Sequence, residues 1–100
     1  MWNKLTYEDR EAVYEKALRQ WGPAMQMVVA IEEMSEVQKE VCKFLRGARN
    51  EEHLAEEIAD ATICLEQLRL MHGINDLVCR KMDEKVERLA RRLDGAEDAE

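Results

Sequence analysis

Apolar residues recur along this chain at steps of three and four, the spacing of one face of an α-helix, and the interruptions fall at a few glycines and one proline. Thr6-Tyr7-Glu8-Asp9 has the form of a capping box. Val13, Ala17 and Leu18 follow at helical spacing, so a first helix is expected from Tyr7 to about Gln20. Gly22-Pro23 ends it. Proline is favoured at the first position of a helix, where its missing N–H costs nothing, so a second helix should run from about Pro23 to about Arg46, with Gly47 as its stop. Asn50 is placed to cap a third helix whose first turn carries Glu51 and Glu52, ending near His72-Gly73. Asn75 is expected to cap a fourth, on which Val78, Met82, Val86, Leu89 and Leu93 form an apolar seam.

The pattern therefore predicts an all-α chain: a four-helix, bundle-like domain of antiparallel helices over residues 1–94, completed by dimerisation, with an acidic, frayed tail over 95–100. Composition agrees, since helix formers dominate and aromatics make up 5%. A chain of 100 residues buries a modest core and often gains stability by self-association, so a homodimer or homotetramer is expected.

A net charge of -7 argues against nucleic acid polymers, and no basic block suits an anionic membrane. No apolar stretch approaches the roughly 20 residues that span a bilayer, and the start, Met1-Trp2-Asn3-Lys4, lacks a signal-peptide core. A cytoplasmic location is the expectation. Cys42, Cys64 and Cys79 are odd in number and widely spaced, which fits reduced thiols on helices better than disulfides or zinc ligands. His53 and His72 are too far apart for a helical ligand pair and are expected at the surface or at helix ends. Trp21, at the expected break, is read as packing between the first two helices in preference to stacking on a base.

The carboxylates carry the chemistry. Residues i and i+3 lie about 60° apart around a helix, so Glu33 and Glu36 share a face, with Glu40 on the same strip. That strip borders the apolar stripe of Met27, Ala30, Ile31, Met34, Val37 and Val41. Glu57 and Asp60 fall among Ala61, Cys64, Leu65, Leu68 and Met71, inside the apolar arc of the third helix, and are expected to point inward. A buried carboxylate must be protonated, paired with a cation or bound to metal. If the second and third helices pack antiparallel, Glu33 and Glu36 face Glu57 and Asp60, and an all-carboxylate set favours Mg²⁺, with Mn²⁺ as a substitute. With 22 acids in the chain, solvated faces or salt bridges are the competing explanation of each motif.

Glu32-Glu33-Met34-Ser35-Glu36, followed by Glu57-Ile58-Ala59-Asp60, resembles the E-E-x-x-E and E-x-x-D motifs of the MazG-like nucleotide pyrophosphohydrolases. The likeness extends to the helix order, the Arg46-Gly47 helix end and a late Lys85-x-x-Arg88, although Asp83 stands where Asn often precedes that element. The resemblance implies an all-α hydrolase that binds Mg²⁺ at Glu33, Glu36, Glu57 and Asp60 and converts a nucleoside triphosphate to the monophosphate and pyrophosphate. Water would attack the α-phosphorus, with Glu36 as its base and Lys39, Lys43, Lys85 and Arg88 on phosphate oxygens. The alternative is a non-catalytic helical dimerisation or regulatory module whose acids are salt-bridged.

Overall fold

The computed structural model of the chain describes residues 4–95, and among these the regular structure is helical throughout: α1 spans Tyr7–Leu45, α2 Glu51–Met71 and α3 Asn75–Leu93. The acidic tail expected over 95–100 lies, apart from Gly95, outside the described residues. No helix among them is long and apolar enough to cross a membrane.

The helix ends are set locally. At the start of α1, Asp9 N–H donates to Thr6 Oγ1 at 3.0 Å and Thr6 N–H donates to Asp9 Oδ2 at 2.9 Å, the expected capping box. The backbone donor holds the Asp9 carboxyl below its ordinary range. Asn50 caps α2 by accepting from His53 N–H at 3.0 Å. Gly47, at φ 89°, closes α1: Ala48 N–H donates to the Lys43 carbonyl and Gly47 N–H to that of Phe44, the paired bonds of a Schellman turn. Gly73 repeats it at the end of α2, with Ile74 N–H bonded to the Arg69 carbonyl.

The break expected at Gly22-Pro23 is present as a kink at Gly22, where φ is 83° and ψ is 160°, and the two helical segments it joins make up the 39-residue α1. Pro23 has no N–H and its ring bars the preceding residue from helical geometry, so the chain leaves the helix for one residue and resumes from Pro23. At the start of α3, Ile74 and not Asn75 is the cap, without a side-chain bond. Asn75 instead accepts from Arg69 Nε at 2.9 Å, tying α3 to the end of α2.

Within one chain the helices do not close into a four-helix bundle, since α2 packs along α1 while α3 packs on α2 alone. Before the kink, α1 is held to α2 by the Tyr14 hydroxyl, which donates to Glu66, and by Arg10 at 3.9 Å from the same carboxylate. Burial, helped by Glu66, pushes the Tyr14 phenol up to about 12. The buried apolar residues are the small ones, Ala30, Ala61 and Cys64, which let the two backbones approach closely. Larger apolar side chains stay outside: Met27, Ile31, Met34 and Val41 of the stripe expected to face inward, and Met82, Val86, Leu89 and Leu93 of the α3 seam.

Gly22 occupies a region that side chains enter only at a cost of about 1–3 kcal/mol. A methyl group added there meets no atom within 4 Å, so the penalty is the backbone's alone. Gly22→Ala should lower unfolding stability by about that amount in urea titration; an unchanged midpoint would show that the kink does not need glycine.

Candidate metal centre

Polar residues recur every seven positions on the covered face of α1, at Gln26, Glu33 and Glu40, and on the facing side of α2, at His53, Asp60 and Gln67. Because the helices run in opposite directions, these meet as three rungs: Glu40 with His53, Glu33 with Asp60, and Gln26 beside Gln67. Ala30, Ala61 and Cys64 pack between them.

The Glu40 rung is an ion cluster. The Glu40 side chain is 3% exposed, with Lys43 Nζ at 3.2 Å and His53 Nδ1 at 2.8 Å from Oε2. Burial alone would raise its pKa, but the hydrogen bonds and charges of Lys43 and His53 outweigh this and leave the carboxyl below its ordinary range.

One heptad earlier the balance reverses. Glu33, Glu57 and Asp60 each bring a carboxylate oxygen to within 4.8 Å of the others. Burial raises the Glu33 carboxyl above its ordinary range, and the charges of Asp60, Glu57 and Glu36 push the same way. Burial, followed by Glu33 and Asp60, also raises the Cys64 thiol. The Glu57 side chain is 13% exposed, and its Oε2 is buried with no hydrogen-bond partner among the described residues. Its Oε1 lies 3.6 Å from His53 Nε2. Three carboxylates with hard oxygen donors, one of them also carrying an orphaned oxygen, fit a divalent cation of the Mg²⁺ or Mn²⁺ type at a spacing that one ion can bridge.

Of the four acids expected to bind metal, Glu33, Glu57 and Asp60 converge, with Glu57 directed inward as expected and Asp60 on the exposed rim. Glu36 stands one turn beyond Glu33, outside the triad, with Lys39 Nζ 3.6 Å from its Oε1. Lys43 is engaged with Glu40. Lys85 and Arg88 lie on α3, whereas the cleft beside the acids is lined from α1 and α2 alone. All three cysteines are free thiols.

His53 lies at a helix end, as expected, but its place between two carboxylates and the burial of Glu40 were not foreseen. The signal available was the heptad itself, since His53 precedes Asp60 by the interval that separates Glu33 from Glu40. Trp21 was expected between helices and is instead 59% exposed at the kink. No family model, curated protein or solved structure matches the chain.

The two rungs give opposite linkage to pH. Glu33, raised in the fold, contributes stability that is full below the ordinary value of 4.5 and is lost as pH rises through its folded value. Glu40, lowered in the fold, contributes stability present above 4.5 and lost as pH falls through its folded value. In metal-free protein at neutral pH, Glu33→Gln should therefore melt above wild type and Glu40→Gln below it, with both differences shrinking on acidification. Differences of like sign in thermal melts across that range would refute the contrast.

Proposed function

We propose that the chain is a cytoplasmic, Mg²⁺-dependent nucleoside triphosphate pyrophosphohydrolase, converting an NTP or dNTP and water to the monophosphate and pyrophosphate. The observation that carries this reading is the convergence of Glu33, Glu57 and Asp60, together with a Glu57 Oε2 that is buried without a hydrogen-bond partner among the described residues. The resemblance of Glu32–Glu36 and Glu57–Asp60 to the paired motifs of the MazG-like hydrolases supports it, as does the cleft of about 550 Å³ of which Glu33 and Asp60 form part.

A divalent ion bound there would neutralise phosphate charge and acidify a water. The chain's own residues do the rest. Glu33, Glu57 and Asp60 would hold the ion; His53, itself bonded to Glu40, braces Glu57 from behind, where a looser carboxylate would lose affinity. Glu36, half-exposed beside the triad, would accept the proton of the attacking water, and Lys39 beside it would contact phosphate oxygens. Lys43, Lys85 and Arg88 complete that cationic set, the last two brought in from α3 as the protomers associate.

A second copy of the chain is the partner this reading requires. Exposed apolar side chains on α1 and α3, among them Ile31, Val41, Met82, Val86 and Leu89, are the surface that such a partner would cover. Light scattering should give a dimer or tetramer at micromolar concentration, and a monomer would contradict it.

Pyrophosphate release from a panel of NTPs and dNTPs tests the activity. Glu57→Gln and Asp60→Asn should each reduce turnover by about 100-fold or more while the helical circular dichroism is retained. Metal-free, both variants should melt at or above wild type, and Mg²⁺ should raise the melting temperature of wild type alone. Variants that unfold readily, with no response of wild type to Mg²⁺, would favour a non-catalytic helical module in which Glu57 and Asp60 are structural.

A further inference from the structure

A second cavity, of about 340 Å³, lies where the start of α1, the end of α2 and the start of α3 meet, and the proposed hydrolysis makes no use of it. Its walls carry Glu11 from α1, Glu66 and Arg69 from α2, and Asp76 from the first turn of α3, with the rings of Tyr7 and Tyr14 between them. Opposite charges line this cavity without meeting. Arg69 donates from Nε to Asn75 Oδ1 at 2.9 Å and from Nη2 to Cys79 Sγ at 3.2 Å, an amide and a thiol, and no carboxylate among the described residues pairs with it. Of the three acids, Glu66 is taken by the Tyr14 hydroxyl and by Arg10 at 3.9 Å, whereas Glu11 and Asp76 have no ion-pair partner among the described residues. The Tyr7 phenol is raised above its ordinary value, first by the charge of Glu11, while Arg69 draws it down, so both charges act on one hydroxyl.

We propose that this cavity binds a free α-amino acid with an uncharged side chain, as its zwitterion. The carboxylate sits on the Arg69 guanidinium, the ammonium lies between Glu11 and Asp76, and the side chain rests against Leu70 and the tyrosine rings. A guanidinium bonded only to neutral groups beside open space is a receptor for a planar carboxylate, and unpaired acids beside aromatic rings suit an ammonium. Ligands of a single charge meet only one of these demands. An inorganic phosphate would satisfy Arg69 and bring its charge onto Glu11, Glu66 and Asp76, and a simple amine would satisfy the acids and leave Arg69 as it is. A charged side chain would add a like charge to one wall. The volume falls at the small end of the range that ligand pockets occupy, as a ligand of this size requires. Because α3 packs on α2 alone, the bound amino acid would also join Asp76 of α3 to Glu11 of α1 and so hold α3 against the first helix.

Thermal melts and NMR on the full, isotope-labelled chain test the site without metal or nucleotide, so the outcome is independent of the proposed hydrolysis. Alanine, leucine, methionine, phenylalanine and glutamine are titrated to millimolar concentration, each beside its N-acetyl derivative, which lacks the cation, and its methyl ester, which lacks the anion. At least one amino acid should raise the melting temperature saturably and move the Arg69 Nε–H signal. Each capped derivative should bind about tenfold or more weakly than its parent, and Glu11→Gln and Arg69→Met should each weaken the parent by a similar factor, the scale of one charge-assisted contact. Glu11→Gln alters a residue with no ion pair to lose, which keeps the test valid if Arg69→Met loosens the tie between α2 and α3.

An ester that binds as well as its parent would reduce the cavity to a cation site and overturn the proposal, and an N-acetyl derivative that does so would reduce it to an anion site with the same result. So would a panel in which no amino acid shifts the melt, or binding that ignores both substitutions.

Discussion

Like charges held together at a helix interface set the terms for the rest of this molecule. Glu33 and Glu40 lie on the same face of α1, one heptad apart, yet burial and neighbouring acids raise the first while Lys43 and His53 lower the second. The difference comes from α2, which presents Asp60 and Glu57 to one and His53 to the other. Glu40 shows how the chain treats an acid that serves structure, pairing it with Lys43 and with the His53 imidazole from its own sequence. Glu33, Glu57 and Asp60 gather three acids with His53 near one of them, the arrangement that supports the proposed metal centre. Environments that push neighbouring carboxyls in opposite directions are a physical signature of divided roles.

Holding such a group requires firm surroundings. Small residues at the seam allow close approach, and the capping box at Thr6, the cap at Asn50 and the glycine turns at 47 and 73 fix where each helix begins and ends. The seam nevertheless buries little large apolar surface. That surface lies on the outer faces of α1 and α3, where a second copy can cover it, so in the proposed assembly the acids gather inside one protomer and most of the hydrophobic stabilisation lies between protomers.

Much of this was legible in the sequence because the signals are local. The caps, the glycine stops and the proline break each involve a few adjacent residues, and all but the Asn75 cap act where they were expected. The acids were legible because Glu57 falls inside an apolar arc, a position that asks for compensation. The register of the seam was not legible. Met27, Ile31, Met34 and Val41 form a stripe as apolar as any core face, and one chain's pattern does not distinguish burial against its own helices from burial against another copy. The true α1 face, with Gln26, Glu33 and Glu40 at every second contact, reads as a solvated strip unless its heptad is matched to that of His53, Asp60 and Gln67. The contacts of His53 and the exposure of Trp21 were not legible for the same reason, since each takes its role from a neighbour on the opposing helix or from the geometry of the kink.

Manganese supplies the most direct measurement of the central claim, because a free aqueous ion and a protein-bound one differ in electron paramagnetic resonance and no nucleotide is needed. Titration of Mn²⁺ into the wild-type chain should show one saturable site per protomer, competed by Mg²⁺, abolished by Glu33→Gln and retained in Glu40→Gln. Mn²⁺ that stays free at all concentrations, or binding that ignores Glu33→Gln, would contradict the account and leave the three acids as a structural cluster.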